Sequence, residues 1–587
     1  MTWLRVPVVV RLLLVVLLLS GTASAAEVWN FKREFLPALT NAVPKILDDQ
    51  DKKTGRFGAG IWMVNDQHAM YPLAVAWATK IEGVDNPYNH DEKVLEAIMS
   101  DGDALIADQD EKGMWEFRKK DGSTWGKIYM PWTYSRWIRT FDLVKDGMPS
   151  DRRAKWEKGL VLGFTGIFNT EPKKPMQNIP VHNCMGLYLA AKIFNKPEWK
   201  RAAVDYLHAC VKDQHPDGYW TEHKGPVVMY NGVYVDALGA YYGMSGDKIV
   251  LDALNRSAKF HAAMTYPDGR AVETVDERNS YHENIAGINL GFCFSPEGRA
   301  YVKRQMALLA PHLEGAPVGP EVAANFIRYG EEGELAPAAS SSDVYVSGDK
   351  QVLTRRAGKW FFCMTSYAAE IDPRRWIQDR QNFLSLYHDD ASLILGGGNT
   401  KMQPLWSTFS VGDINLLKHK AGDENPRFLP PPGLKHTPSA AALHVEENTL
   451  DLDYAGTDCS VSVDVSDPAK AKIVYTLHTP TTKAVAAHVP LIPKLKGKWS
   501  TASGKSGVLS DAPIDFKPGE AGEWFAHRGF RLKIPADASI TWPALPHNPY
   551  AKDGKPELHD GRIVVTLPFS ADVTRQEIFV ELDEGTK

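Results

Sequence analysis

Cysteine is scarce in this sequence: five in 587 residues (Cys184, Cys210, Cys293, Cys363 and Cys459), with no two standing as C-x-x-C. An odd, scattered set excludes a disulfide framework and a zinc ribbon, and it reads most plainly as small buried hydrophobes. A surplus of charge is also missing, since 67 Lys and Arg face 72 Asp and Glu for a formal charge of −5. Without a global basic surface, nucleic acid and anionic membrane are not expected partners. Beyond the N-terminus no apolar run approaches the length of about 18 residues that a membrane span needs. Gly396-Gly397-Gly398 lacks the Lys and the following helix of a phosphate loop, so nucleotide binding is not expected either.

What is present is an ordinary globular balance of 44% hydrophobic and 24% charged residues, enough for a large core. Seventeen Trp, 21 Tyr and 22 Phe supply many flat rings; such rings suit stacking on sugars, although most belong to a core. At the start, Arg5 and Arg11 precede the apolar run Leu12 to Leu19, and Ala23-Ser24-Ala25 has the small-x-small form of a signal-peptide cleavage site. Residues 1–25 are therefore expected to direct export, leaving a periplasmic or secreted chain that begins near Ala26. No Cys stands at that site to take a lipid anchor.

From about residue 30 to 330 the pattern is helical, with apolar residues three and four apart in segments such as Val94 to Ala107, Arg152 to Phe168 and Trp199 to Lys212. A short element punctuates it. Asp49-Gln50-Asp51 leads to Gly55, Asp108-Gln109-Asp110 to Gly113, Asp213-Gln214-His215 to Gly218, and a fainter copy ends at Gly269. The glycines lie 58, 105 and 51 residues apart, so one copy is degraded and the period holds two helices with their connections. Gly closes a helix through the left-handed conformation. About six helical hairpins follow, and an α/α toroid is expected over 26–335, with an open superhelix as the alternative. After the small-residue linker 336–342 the texture changes to short runs that alternate or carry Val, Tyr and Thr, among them Trp360 to Tyr367, Phe383 to His388 and Arg562 to Pro568. An antiparallel β-sandwich region is expected over 336–587, giving an α+β multidomain chain.

The densest chemistry runs from Asp217 to Tyr234, where Trp220 and His223 precede Tyr230 and Tyr234, which share one helix face. Upstream stands Asn178-Ile179-Pro180-Val181-His182-Asn183, and downstream Glu277-Arg278-Asn279-Ser280-Tyr281-His282. Amide, imidazole, phenol and guanidinium together suit proton abstraction next to a carboxylate. An Asn or Arg can hold the carboxylate and the charge that develops on it, while Tyr or His moves the protons. Trp125, Tyr129, Trp132, Tyr134 and Trp137, with Lys127, Arg136 and Arg139 between them, read as sugar-stacking subsites for an acidic polymer or as core. His282 and Glu283 lack a spaced partner for a metal; no cofactor is expected, and a structural metal ion stays open.

The run Asp217-Gly218-Tyr219-Trp220-x-x-His223, followed by Tyr230-x-Gly232-x-Tyr234, resembles the signature of polysaccharide lyases built from an incomplete α/α toroid and an antiparallel β-sheet domain. These are the hyaluronate and chondroitin AC lyases and their alginate and heparinase II/III-like relatives. The resemblance implies β-elimination on a uronic-acid-containing polysaccharide. It puts Asn183 in the place of the carboxylate-neutralising amide, His223 in that of the base or its helper, Tyr234 in that of the acid/base phenol, with Tyr230 as a rival, and Arg278 in that of the cleft arginine. His182, Trp125, Trp132, Tyr134, Trp220, Tyr281 and His282 are the expected substrate contacts. Two other classes remain open. An α/α-barrel glycoside hydrolase would draw its carboxylate pair from Asp217, Glu222, Asp236 and Glu283, and a glycan-binding protein would need no catalytic group.

Overall fold

A computed structural model describes residues 27–57, 69–118, 124–281, 285–313, 316–337, 342–418, 422–583 and 585. The expected signal segment, Ala26, His282 and Glu283 lie outside the described residues. Among the described residues, eleven α-helices fill the N-terminal half: α1 Phe31–Asp48, α2 Met70–Ala78, α3 Glu92–Asp108, α4 Pro131–Val144, α5 Ser150–Thr170, α6 Asn178–Ile193, α7 Pro197–Asp213, α8 Val228–Ser245, α9 Leu251–Ala263, α10 Pro296–Leu309 and α11 Pro320–Tyr329.

The helices form two concentric layers. The inner layer runs α2, α4, α6, α8, the single turn Leu290–Phe292 and α11, each packed on the next, and α11 returns to α1 and α2. The outer layer is α1, α3, α5, α7, α9 and α10. Six hairpins thus close an α/α toroid, and the antiparallel pair Val28–Trp29 with Gly333–Glu334 ties its two ends together. Composition follows position: α2 and α6 are almost wholly buried, whereas the outer α7 buries one stripe, Trp199, Ala203, Tyr206, Leu207 and Cys210.

The repeated Asp-Gln element has a structural cause. Gln50 donates to the Ala97 carbonyl of α3, Gln109 to Gly159 of α5 and Gln214 to Ala253 of α9, at 2.8, 3.0 and 2.9 Å. Each Gln therefore ties its own turn to an outer helix of a neighbouring hairpin. The glycines that follow, Gly55, Gly113, Gly218 and Gly269, all have φ between +77° and +93°. A side chain at Gly218 would stand 2.3 Å from the Arg256 carbonyl oxygen, so glycine is needed for space as well as for backbone freedom.

Among the described residues, the C-terminal half is a sandwich of an eleven-stranded and a nine-stranded sheet, their strands paired antiparallel. The strand Trp360–Thr365 (WFFCMT) shows how it meets the ring. Trp360, Phe362 and Met364 enter the core shared by the two sheets, while Phe361 and Cys363 pack with Tyr219, Phe260, Met264 and Tyr266 of the helical half. Successive side chains of a strand point to opposite faces, and here both faces are covered. The larger sheet is thus the middle layer, and its junction with the ring positions the site. All five cysteines are buried and unpaired.

Candidate active site

A two-residue turn sets the site. Thr221–Glu222 and Gly225–Pro226 pair as a minimal hairpin whose turn residues are His223 and Lys224. His223 has φ +66°. Hairpins favour glycine at such a position, and an ordinary residue there carries strain of about 1–2 kcal/mol. Asn231 secures the hairpin to α8: its Oδ1 accepts from Trp220 N–H at 3.1 Å, and its amide meets the buried His261 at 2.8 Å.

Asp276 then joins two segments far apart in sequence. One carboxylate oxygen accepts the Val228 N–H at the first turn of α8, and the other accepts the N–H groups of Arg278 and Asn279. A carboxylate suits a helix start, where backbone N–H groups lack partners. The consequence lies one turn on: the Arg278 guanidinium rests over the Tyr230 ring at 4.4 Å. Arg278 does not pair with neighbouring Glu277, which is almost wholly buried and instead meets Arg380 at 3.4 Å and the Lys224 N–H at 3.0 Å. Glu222 completes the group, with Asn178 at the first position of α6 donating to it at 3.5 Å, a long contact.

The electrostatics follow from half-burial between ring and sheet. Burial, then the positive charges of Arg374 and Arg278, hold His223 below the ordinary imidazole value and favour its neutral form. Glu277 Oε1 lies 3.8 Å from His223 Nδ1, beyond hydrogen-bond length, and burial pushes Glu277 up to about 7. Burial raises Glu222, opposed by Arg278. Burial also raises the Tyr230 phenol, and Arg278 acts in the opposite direction. This set of imidazole, phenol and guanidinium can move protons next to an anionic group.

Other expected contacts go elsewhere. Asn183 is buried at the second turn of α6, its amide 3.4 Å from the Tyr129 carbonyl and its Oδ1 shut away without a partner. Tyr234 is 2% exposed and stacks on Trp220 at 4.9 Å, and the Trp220 indole donates to the Cys210 carbonyl. Tyr134 is wholly buried and bonded to Gly113 and Gln109, so Trp220 and Tyr134 are core rather than sugar platforms. Tyr281 packs into the ring–sheet junction, where its hydroxyl is buried. Lys127 pairs with Asp110, Arg136 with Glu321, and Arg139 with Asn325. Trp125 remains 57% exposed, stacked on Phe117. Trp132 and His182 line a cavity of about 440 Å³ that α4, α6, α8 and α11 share with Asp276 and Asn279 of the junction, and there His182 meets Asp236 at 3.2 Å.

Sequence reasoning missed the sheet's contribution. Arg374 reaches His223 electrostatically, and Tyr550 reaches Tyr230. Trp376 lies 5.4 Å from Tyr550, and Lys224 Nζ donates to the Glu370 carbonyl at 2.8 Å. The run Pro373-Arg374-Arg375-Trp376 carried a signal, basic groups beside an aromatic in a loop, but only the fold brings it to the helical half.

No protein-family model matches the chain, and no curated protein does. Solved structures do match. The chondroitin AC lyase of Streptomyces coelicolor A3, in complex with chondroitin sulphate, aligns with a TM-score of 0.50 at 12% identity, over 94% of this chain and 79% of that one. Heparinase III gives 0.51 at 11% identity, over 96% and 86%. This chain has the fold of polysaccharide lyases. The Paenibacillus xanthan lyase agrees, with a TM-score of 0.51 at 10% identity, over 95% of this chain and 58% of that longer one. In the lyase fold seen here, the junction of toroid and sheet is where His223, Tyr230 and Arg278 stand.

Proposed function

We propose that this chain is an exported polysaccharide lyase that cleaves a uronic-acid-containing polysaccharide by β-elimination at the ring–sheet junction. The observation that carries the reading is Arg278 laid over Tyr230 at 4.4 Å, with His223 favoured in its neutral form within reach of the same guanidinium.

In this reading Arg278, helped by the Asn178 amide, binds the C5 carboxylate and takes up the charge that spreads onto it as the C5 proton leaves. Neutral His223 accepts that proton. The electron pair forms the C4=C5 double bond, the C4–O4 bond breaks, and the Tyr230 hydroxyl gives its proton to O4. His223 then releases a proton to solvent and Tyr230 regains one, so atoms and charge balance. Asn178 and Tyr230 are preferred to Asn183 and Tyr234 because the latter two are enclosed, 1% and 2% exposed. Trp376 and Tyr550 provide ring faces for flanking sugars.

The test is the ultraviolet absorbance of the conjugated double bond on a panel of polyuronates and glycosaminoglycans. Its appearance with at least one of them is expected; its absence with all of them contradicts the reading. A second reading rests on Glu222, whose burial favours a protonated carboxyl of the kind a glycoside hydrolase uses as acid. Release of saturated products, abolished by Glu222→Gln, would favour it.

A further inference from the structure

The turn that closes α7 meets the sheet region at a point the proposed chemistry leaves unused. In His215-Pro216-Asp217-Gly218 the His215 ring lies flat on Tyr219, with centroids 4.4 Å apart. Opposite stands the turn 347–350, between strands Val344–Val346 and Val352–Ala357. One oxygen of each facing carboxylate already holds a turn in place. Asp217 Oδ1 accepts the Gly348 N–H at 2.7 Å, and Asp349 Oδ1 accepts from Ser347 Oγ at 2.6 Å and from the Gln351 N–H at 3.1 Å. The remaining oxygens converge on His215: Asp217 Oδ2 is 3.2 Å from Nδ1, and Asp349 Oδ2 is 3.8 Å from Nε2.

Asp217 supplies the deciding detail. Its side chain is only 10% exposed, and Oδ2 is closed to solvent without a hydrogen-bond partner. A buried carboxylate oxygen in that state is costly unless a donor or a cation meets it. Among the described residues no Lys or Arg pairs with Asp217 or Asp349. The surplus negative charge reaches their neighbours: burial first, then Asp217 and Asp349, hold the Tyr345 phenol above its ordinary value.

We propose that His215, Asp217 and Asp349 form a divalent-cation site that staples the helical ring to the sheet. One ring nitrogen and one oxygen of each carboxylate lie within 4.8 Å of one another. Closing the widest separation by about 1.4 Å gives the roughly 3.4 Å ligand spacing of a tetrahedral centre with bonds near 2.1 Å. The exposed Asp349 turn can make that movement, and it leaves the fourth position to water. An imidazole nitrogen with two carboxylates suits zinc and its first-row neighbours, whereas calcium takes oxygen ligands alone. The site stands independently of the lyase reading.

The test uses the full chain, stripped with a chelator and titrated calorimetrically with zinc chloride alone, while thermal unfolding is followed in parallel. One zinc per chain and a raised Tm are expected, since a ligand that binds only the folded state stabilises it. Asp349→Asn, on the exposed turn, should weaken binding about tenfold or more and erase the rise in Tm, while leaving the metal-free Tm in place; Asp217→Asn should do the same. Failure to find saturable one-to-one binding would overturn the proposal, as would zinc binding unchanged by Asp349→Asn, or calcium held more tightly than zinc.

Discussion

Residues 125–139 and 217–234 both crowd aromatic rings among basic side chains, and they fold to different surroundings. In the first stretch Tyr134 and Trp137 are wholly buried, Arg136 is tied to Glu321 and Arg139 to Asn325, so the polarity is satisfied inside the ring. In the second, Tyr219, Trp220 and Tyr234 go inward, but Tyr230 stays half-buried beneath Arg278 and His223 stands at a strained turn. The density of rings does not separate them. The difference lies in the cations: Arg136 and Arg139 of the first stretch meet fixed partners within the ring, whereas Arg278, brought to the second stretch by the fold, rests on the Tyr230 ring, where the proposed chemistry has it bind an anion.

Matched substitutions, one at the junction and one in the ring core, should separate these roles most visibly. Tyr230→Phe is expected to lower kcat/KM by about 10²–10⁴-fold, with the melting temperature nearly unchanged. Tyr134→Phe should instead cost stability and leave kcat/KM of the folded fraction intact. Next, Arg278→Ala should lower kcat/KM by about 10²–10³-fold, whereas Arg136→Met should cost roughly 2 kcal/mol of stability in denaturant unfolding, through the loss of a charge-assisted pair. The pH profile sharpens the same point. His223 is held below its ordinary 6.5 and Tyr230 above its ordinary 10.0, so kcat/KM should form a plateau with its acid limb below 6.5 and its alkaline limb above 10.0.

The junction beneath the site should titrate where the ring core does not. Burial pushes Glu273 up to about 7 from an ordinary 4.5, while Gly397 N–H and Tyr266 hold its two oxygens. A carboxyl raised in the folded state binds its proton more tightly there, so its stabilising contribution is full below pH 4.5 and is lost as pH rises through about 7. That contribution is about 3 kcal/mol, and Glu273→Gln should flatten the pH dependence of unfolding across this window. A smaller effect is expected at the hairpin turn. His223→Gly should raise stability by about 1 kcal/mol while lowering activity, the signature of strain kept for function. Smallest of all, Trp125→Ala should change stability by less than about 0.5 kcal/mol and move only KM.

The ring was legible because its punctuation is chemical. The Asp-Gln elements and their glycines mark real helix ends, and four of those glycines take the left-handed conformation. The strands Trp360–Thr365, Leu384–His388 and Ser392–Leu395 were readable from their alternation and their Leu, Ile and aromatic content. Others were not: Val485–Leu491 is buried almost throughout and holds Pro490, so it shows neither alternation nor an unbroken run. At the site, His223, Tyr230 and Arg278 are visible in sequence, but which of two tyrosines and which of two amides stay accessible depends on how deep each lies along its helix. Tyr230 and Tyr234 share a helix side at four-residue spacing, yet one lies where α8 leaves the junction and the other one turn deeper, against Trp220. The contributions of Arg374, Trp376 and Tyr550 depend on the docking of the sheet, which no local pattern records.

In the proposed reading the half-buried junction, not the enclosed ring core, carries the chemistry. Initial rates of double-bond formation on the best polyuronate, compared between Tyr230→Phe and Tyr234→Phe, test it most directly. Near-complete loss is expected for Tyr230→Phe and a rate within a few-fold of wild type for Tyr234→Phe; the reverse pattern would place the chemistry in the ring core instead.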